Sequence, residues 1–245
     1  MGIYINKYRG DFMNITRKKV FTDLICVEKL GKISPEKEMQ LAETLGEVKK
    51  PVTEREHKQQ AAFKGPLDGI SNVTQGALFG TKETLDWHAN KPSNANRASI
   101  VWIYAVEGSK GSVTSWIDNR AAYNDLDEDT KSRCKKVKFT CGFKSGNYTI
   151  DEFFKDHHNT ELEWDLVQTN EAGQTGLYFP FNQILGGFPD DLFEYLKNHI
   201  LQDKYRYDHY WEDGDLVVSE QWLTIHKRHE FEHMDKRLMH RIVVV

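Results

Sequence analysis

Histidine is the residue type through which this chain could do metal chemistry, and its 245 residues hold ten of them. Two arrangements stand out. His229-Glu230-Phe231-Glu232-His233 matches H-E-x-x-H, which on a helix turns both imidazoles to one face to grip zinc and leaves the glutamate as general base. A zinc hydrolase built this way needs a third protein ligand, commonly downstream, and only residues 234–245 follow. The longer form of the motif fails, because Lys236 stands where glycine should and Met239 where the third histidine should. The second arrangement is dispersed: His88 and Asn90 lie two apart and His226 stands far downstream. Two histidines and usually one carboxylate on one face of a metal leave the remaining positions open, the donor pattern of non-haem iron oxygenases. Here a neutral amide, Asn90, occupies the third place, and Asp86 is a nearby carboxylate at a different offset. On the residues alone both readings stay open.

These side chains need elements to hold them. Asp23–Val27 is a short apolar run of strand type, and a helix follows it. Ser34 is its N-cap, Pro35 its first residue, and Glu36 and Glu38 complement its positive end, while Gly46 stops it. The polar stretch Lys49–Gly69 reads as a long loop. Ser99–Val106 is a continuous apolar run of strand length, Gly108–Gly111 a turn, and Asp118–Arg133 a helix. Val137–Phe143, Trp164–Thr169 and Gly176–Phe179 read as strands, and Pro189 opens a helix with Leu192, Phe193, Leu196 and Ile200 as its apolar stripe. Asp213-Gly214-Asp215 makes a turn into a strand Leu216–Ile225, which His226 ends, and the chain closes in a strand Leu238–Val245. Many strands with a few helices suit a β-sandwich or jelly roll, and periodicity does not separate this from a generic α+β domain.

Composition sets the outer limits. A formal net charge of −4 argues against nucleic acid or an anionic membrane as partner. The basic run Lys131–Lys136 reads as a solvated helix end. No apolar run approaches the roughly 20 residues of a membrane span. The start lacks the apolar core of a secretory signal, and Cys26, Cys134 and Cys141 are an odd set without C-x-x-C spacing, so a reducing, cytoplasmic setting is expected. One domain over residues 1–245 is expected, and a homo-oligomer is compatible with the sequence.

The order of motifs adds a further reading. A strand–helix unit over Leu24–Val48 begins its helix with I-S-P-E and ends it with Leu45-Gly46-Glu47. Trp87-His88-x-Asn90 follows, then the apolar strand, Gly111-Ser-Val-Thr114 and Ala121-Ala-Tyr123. Near the end, Gly214-Asp215-Leu-Val-Val218 leads to His226 and to Lys236-Arg237-Leu-Met-His-Arg241. In this order the chain resembles the taurine dioxygenase (TauD/TfdA) family of Fe(II)- and 2-oxoglutarate-dependent oxygenases, from about Leu24 to Val245. It departs from them where W-H-x-D becomes Trp87-His88-x-Asn90.

The resemblance implies a double-stranded β-helix (a jelly roll, cupin-like) with outer helices. It implies that His88, Asn90 and His226 are the metal ligands and catalytic centre, and that Thr114 and Arg237 hold the far carboxylate of 2-oxoglutarate. Arginine's planar, two-donor geometry suits that carboxylate. Arg241 matches a substrate-side arginine, which would face an anionic group. Trp87 and Trp102 are candidates to line the site, though core is the commoner fate of such residues. The partners implied are O2 and a small molecule, hydroxylated with release of succinate and CO2. Because Asn90 brings no charge to offset Fe(II), altered chemistry or a non-catalytic binder stands as an alternative, as does the zinc hydrolase built on His229 and His233.

Overall fold

The computed structural model describes residues 14–73, 83–90, 98–142, 162–232 and 237–245. Its centre is two antiparallel sheets. The larger runs β1 (Ile25–Lys29), β12 (Asp215–Glu220), β4 (Ile100–Glu107), β14 (Leu238–Val244), β2 (Ile70–Asn72). The smaller runs β11 (Arg206–Tyr210), β5 (Val113–Asp118), β13 (Thr224–Arg228), β3 (Leu85–His88). The chain crosses between them after β4, after β12 and after β13, the alternation that makes a jelly roll. A three-stranded sheet, β10 (Ile184–Gly186), β6 (Lys138–Cys141), β7 (Glu163–Asp165), and a hairpin of β8 (Val167–Thr169) with β9 (Thr175–Leu177) complete the β-structure among the described residues.

Burial explains why β4 reads as an unbroken apolar run. Ile100, Trp102 and Tyr104 face outward into a core shared with α1 (Arg17–Asp23) and α2 (Pro35–Glu43). Val101, Ile103 and Ala105 face inward, towards Trp116, Trp211 and Met239 between the sheets. A strand covered on both faces has no polar side to show. Behind the smaller sheet lies a third cluster, where Ile117 and Ile225 meet Ala122 of α4 (Asn119–Asn124), Cys134 of α5 (Glu128–Cys134) and Leu192, Leu196 and Ile200 of α6 (Asp190–Ile200). The three cysteines are free and buried. No helix among the described residues is long and apolar enough to cross a membrane.

A buried polar clamp ties α2 to the larger sheet. Glu38 accepts from Trp102 Nε1 at 3.0 Å and meets His240 Nδ1 at 2.7 Å. Trp102 therefore packs on the outer face rather than lining a site between the sheets, and Trp87 belongs to the cluster behind the smaller sheet.

Four expected elements differ from the structure, one of them the strand expected over Trp164–Thr169, which is two, β7 and β8, in separate sheets. Within the supposed loop Lys49–Gly69 lies α3 (Glu54–Ala62), started by a capping box in which Thr53 and Glu56 satisfy each other's backbone N–H groups. The helix expected over Asp118–Arg133 is two, α4 and α5, each with its own aspartate cap, Asp118 and Asp127. The strand expected over Leu216–Ile225 breaks after Glu220, whose carboxylate accepts from Leu223 N–H at 2.6 Å as the chain changes sheets. His226 consequently lies inside β13, not at a strand's end.

Gly214 fixes the entry to β12. Its φ is +83°, its N–H donates to Ala105 O at 2.6 Å, and its carbonyl accepts from Leu30 N–H at 2.8 Å. An added Cβ would lie 2.7 Å from Gly31 Cα, so both conformation and space demand glycine. Gly214→Ala is expected to destabilise the fold by about 2 kcal/mol, a fall in Tm of roughly 4–8 °C by calorimetry; an unchanged Tm would refute the close approach.

Candidate active site

Register across the smaller sheet builds the site. Tyr207 of β11 stands opposite Trp116 of β5, Trp116 opposite His226 of β13, and His226 opposite His88 of β3. Opposed residues of an antiparallel pair share a face, so these four form one row. At its end the His88 and His226 rings lie 4.2 Å apart between centroids. One pleat along, Thr114 stands opposite Arg228 on the same face.

The segment carrying His88 and Asn90 is pinned by three side-chain amides. Gln183 accepts from Ala89 N–H at 2.8 Å and donates to Ala89 O at 3.1 Å, Asn182 donates to Trp87 O at 3.1 Å, and Gln221 accepts from Asn90 Nδ2 at 3.1 Å. His88 Nδ1 lies 2.7 Å from the carbonyl of Asp86, which only accepts, so Nδ1 carries the hydrogen and Nε2 keeps its lone pair. The buried Nδ1 of His226 has no protein partner among the described residues, and its Nε2 faces Asn90 Nδ2 at 3.4 Å. Burial pulls His88 down to about 4 and His226 well below the ordinary histidine range, so both rings are neutral donors at pH 7. Asn90 Nδ2 being a donor, the His226 lone pair lies on Nε2 as it does in His88, and two neighbouring neutral imidazoles with Nε2 lone pairs fit a divalent metal.

The third position is unusual. Asn90 is buried, and its Oδ1 accepts from Arg241 Nη1 at 3.1 Å while Nδ2 donates to Gln221. Turning the amide over would set donor against donor at Arg241 and acceptor against acceptor at Gln221. The oxygen therefore points to Arg241 and the amide nitrogen to His226. Asp86 does not replace it, for its half-exposed carboxylate pairs outward with Lys227 at 3.4 Å. Among the described residues no group of three or more His, Cys, Asp or Glu side chains gathers at one point.

Around the histidines the charge is positive. Arg237 is buried, donates to Ser112 Oγ at 3.3 Å and to Val73 O at 3.0 Å, and lies over the Phe231 ring at 4.7 Å. Arg228 lies over the same ring at 5.6 Å. Burial, with the Arg228 charge beside it, pulls Arg237 down to about 9, and burial pulls Arg241 down to about 10. Neither Arg237 nor Arg241 has a carboxylate partner among the described residues, and the buried Arg241 Nε has no partner at all there. A buried cation left so costs on the order of several kcal/mol, which an anionic ligand offsets. Thr114 Oγ1 accepts from Trp211 Nε1 at 2.9 Å, which leaves its own O–H to donate.

The structure thus gathers His88, Asn90, His226 and Arg241 in one network, sets Thr114 on the same sheet face as the histidines, and ties Arg237 to Ser112, two residues before Thr114. His229 lies apart from this network. Residues 229–232 are not helical, and His229 shares a 2.6 Å hydrogen bond with Ser115 Oγ, so the helical face that H-E-x-x-H requires is missing there; His233 lies outside the described residues. Sequence reasoning missed Gln183, Gln221, Trp211 and Arg228. Only Trp211 left a signal, in the alternation Tyr207, His209, Trp211 along one strand face.

Comparison with known proteins gives the family and the fold. The family model of the taurine catabolism dioxygenase TauD, TfdA family matches residues 20–243, and the chain belongs to that family. It is an oxidoreductase of the 2-oxoglutarate-dependent dioxygenase class, and Fe(II) and 2-oxoglutarate are the family's metal and cosubstrate. Pentalenolactone F synthase of Streptomyces arenae is 24% identical over 202 residues, 72% of this chain and 68% of that protein. The alpha-ketoglutarate-dependent 2,4-dichlorophenoxyacetate dioxygenase of Burkholderia sp. (strain RASC) is 24% identical over 193 residues, 71% of this chain and 63% of that one. Among solved structures, AAD-2 in complex with Mn(II) and N-oxalylglycine superposes with a TM-score of 0.75 at 18% identity, covering 99% of this chain and 93% of its own. A taurine dioxygenase from Burkholderia xenovorans gives 0.70 at 15% identity, covering 92% and 78%.

The amide clamp carries a prediction. Gln183→Ala frees the backbone between His88 and Asn90 and is expected to weaken Fe(II) binding about 10-fold in anaerobic calorimetry, whereas Asn90→Asp, by restoring a charge, tightens it. Affinity unmoved by either change would place the metal away from this segment.

Proposed function

We propose that His88 and His226 hold Fe(II), with Asn90 as the neutral third member of the site, and that Arg237 and Thr114 receive the far carboxylate of 2-oxoglutarate. The observation that carries this reading is the pair of guanidinium groups, Arg237 and Arg241, that have no carboxylate partner among the described residues, near two neutral imidazoles. A dianionic cosubstrate supplies the charge that they lack. The bound metal and cosubstrate supply oxidative decarboxylation with O2, giving succinate and CO2, coupled to hydroxylation of a substrate C–H bond.

The chain's own residues orient and enclose. Arg237 offers a planar pair of donors, and the Phe231 ring beneath its guanidinium fixes the plane. Thr114 adds one hydroxyl donor, held in place by Trp211. Arg241 lies over the Phe63 ring at 5.0 Å, touches Asn90, and has Nε left for a ligand, which favours a small substrate carrying an anionic group. The carboxylate in the name of the 2,4-dichlorophenoxyacetate dioxygenase is in keeping with such a substrate, although the relatives' names span unlike molecules. The three free, buried cysteines are in keeping with a reducing, cytoplasmic setting, and the family with a small-molecule substrate.

The test is succinate formation from 2-oxoglutarate with Fe(II) and O2. His88→Ala is expected to abolish it. Arg237→Lys, which keeps the charge but loses the two-donor plane, should raise the KM for 2-oxoglutarate at least about 10-fold with a smaller effect on kcat. Succinate formation indifferent to His88→Ala would overturn the reading.

A further inference from the structure

The row that holds the histidines does not stop at the metal site. The Trp116 ring lies 6.3 Å from His226 between centroids at an interplanar angle of 27°, and 6.2 Å from the Tyr207 ring at 28°. One aromatic stack thus joins His226 to β11, the edge strand of its sheet. Its two outer members differ in what surrounds their polar atoms. Trp116 is fully buried and its Nε1 has no acceptor among the described residues. An oxidised indole there has nowhere to send its proton and can only pass the electron vacancy on. Tyr207 has the opposite provision. Its hydroxyl lies 3.0 Å from His209 Nδ1, and His209 Nε2 lies 3.1 Å from Asp215 Oδ2. That carboxylate also accepts from Glu212 N–H at 2.9 Å and faces Lys29 Nζ at 3.0 Å, so it acts as an acceptor. His209 therefore carries its hydrogen on Nε2, and Nδ1 is a base aimed at the phenol. Packing alone does not ask for this arrangement, since phenylalanine would stack on Trp116 equally well.

We propose that Tyr207 is a redox-active residue that draws oxidation away from the metal-binding histidines when no substrate is bound. This rests on the reading under Proposed function, which supplies the oxidant: the metal centre after reaction with O2 and 2-oxoglutarate. One electron leaves Tyr207 and reaches that centre through Trp116, reducing it by one electron. The phenolic O–H bond breaks, its proton goes to His209 Nδ1, and the products are a neutral tyrosyl radical and an imidazolium paired with Asp215. The half-buried position of Tyr207 at the sheet edge brings the radical away from the histidines.

The experiment mixes enzyme loaded anaerobically with Fe(II) and 2-oxoglutarate with O2 in the absence of substrate. Samples are freeze-quenched for electron paramagnetic resonance, and succinate is measured in the same samples. The wild type is expected to give a tyrosyl signal that narrows with ring-deuterated tyrosine. Tyr207→Phe should lose that signal and still form succinate. His209→Gln, which keeps a donor for Asp215 and an acceptor for the phenol but supplies no base, should reduce the signal at least about 10-fold. Succinate without a tyrosyl signal, or a signal that survives Tyr207→Phe or His209→Gln at full strength, overturns the relay alone. No succinate from the wild type overturns the dioxygenase reading, and the relay falls with it for want of an oxidant.

Discussion

Strand register is the constraint on which this molecule's chemistry depends. Tyr207, Trp116, His226 and His88 share a face only because four strands are aligned to the residue. A slip of one position in β13 would send His226 to the helix side of the sheet and bring Ile225 into the site. The register is held by burial on both faces, with Trp116 between the sheets and Ile117 and Ile225 against the helices behind. The packing that stabilises the fold and the spacing of the two imidazoles are therefore one feature.

The second organising fact is a surplus of positive charge beside neutral donors. Arg237 and Arg241, which have no carboxylate partner among the described residues, stand on the same side as the histidines' network, and Asn90 contributes only an amide. A carboxylate at position 90 would pair with Arg241 and offset part of the metal's charge. With asparagine the site needs more of its neutralisation from ligands, so cosubstrate and metal are expected to bind interdependently. Burial makes each of these charges matter more than it would in water. Asn90 still has a structural part: it passes the rigidity of Gln221 to Arg241 through two hydrogen bonds.

Much of this was legible in the chain, and what was hidden had definite physical causes. The strand β4, the cap and proline of α2, the stripe of α6 and the order of the motifs around His88, His226 and Arg237 announced a jelly roll and its cosubstrate chemistry. The helix α3 was signalled by Thr53-x-x-Glu56, but its polar composition masked it, since a helix with almost no apolar face has no periodicity to detect. The break between β12 and β13 was invisible because the connecting Gln221-Trp222-Leu223 holds neither glycine nor proline, and its Trp222 and Leu223 continue the apolar run from β12 to Ile225. Gln183 and Gln221 could not be found by pattern at all, because they act across 94 and 131 residues of separation on backbone and amide atoms. The H-E-x-x-H match shows the opposite case: its spacing suits a helix, but residues 229–232 are not helical.

The central claim is that one site binds the metal and 2-oxoglutarate together. It is met most directly by anaerobic titration of the metal-free protein with Fe(II) in the presence of 2-oxoglutarate, followed by visible absorption. The account predicts a weak metal-to-ligand charge-transfer band that requires both components. A band that never develops with the wild type, while Fe(II) is bound, would contradict it.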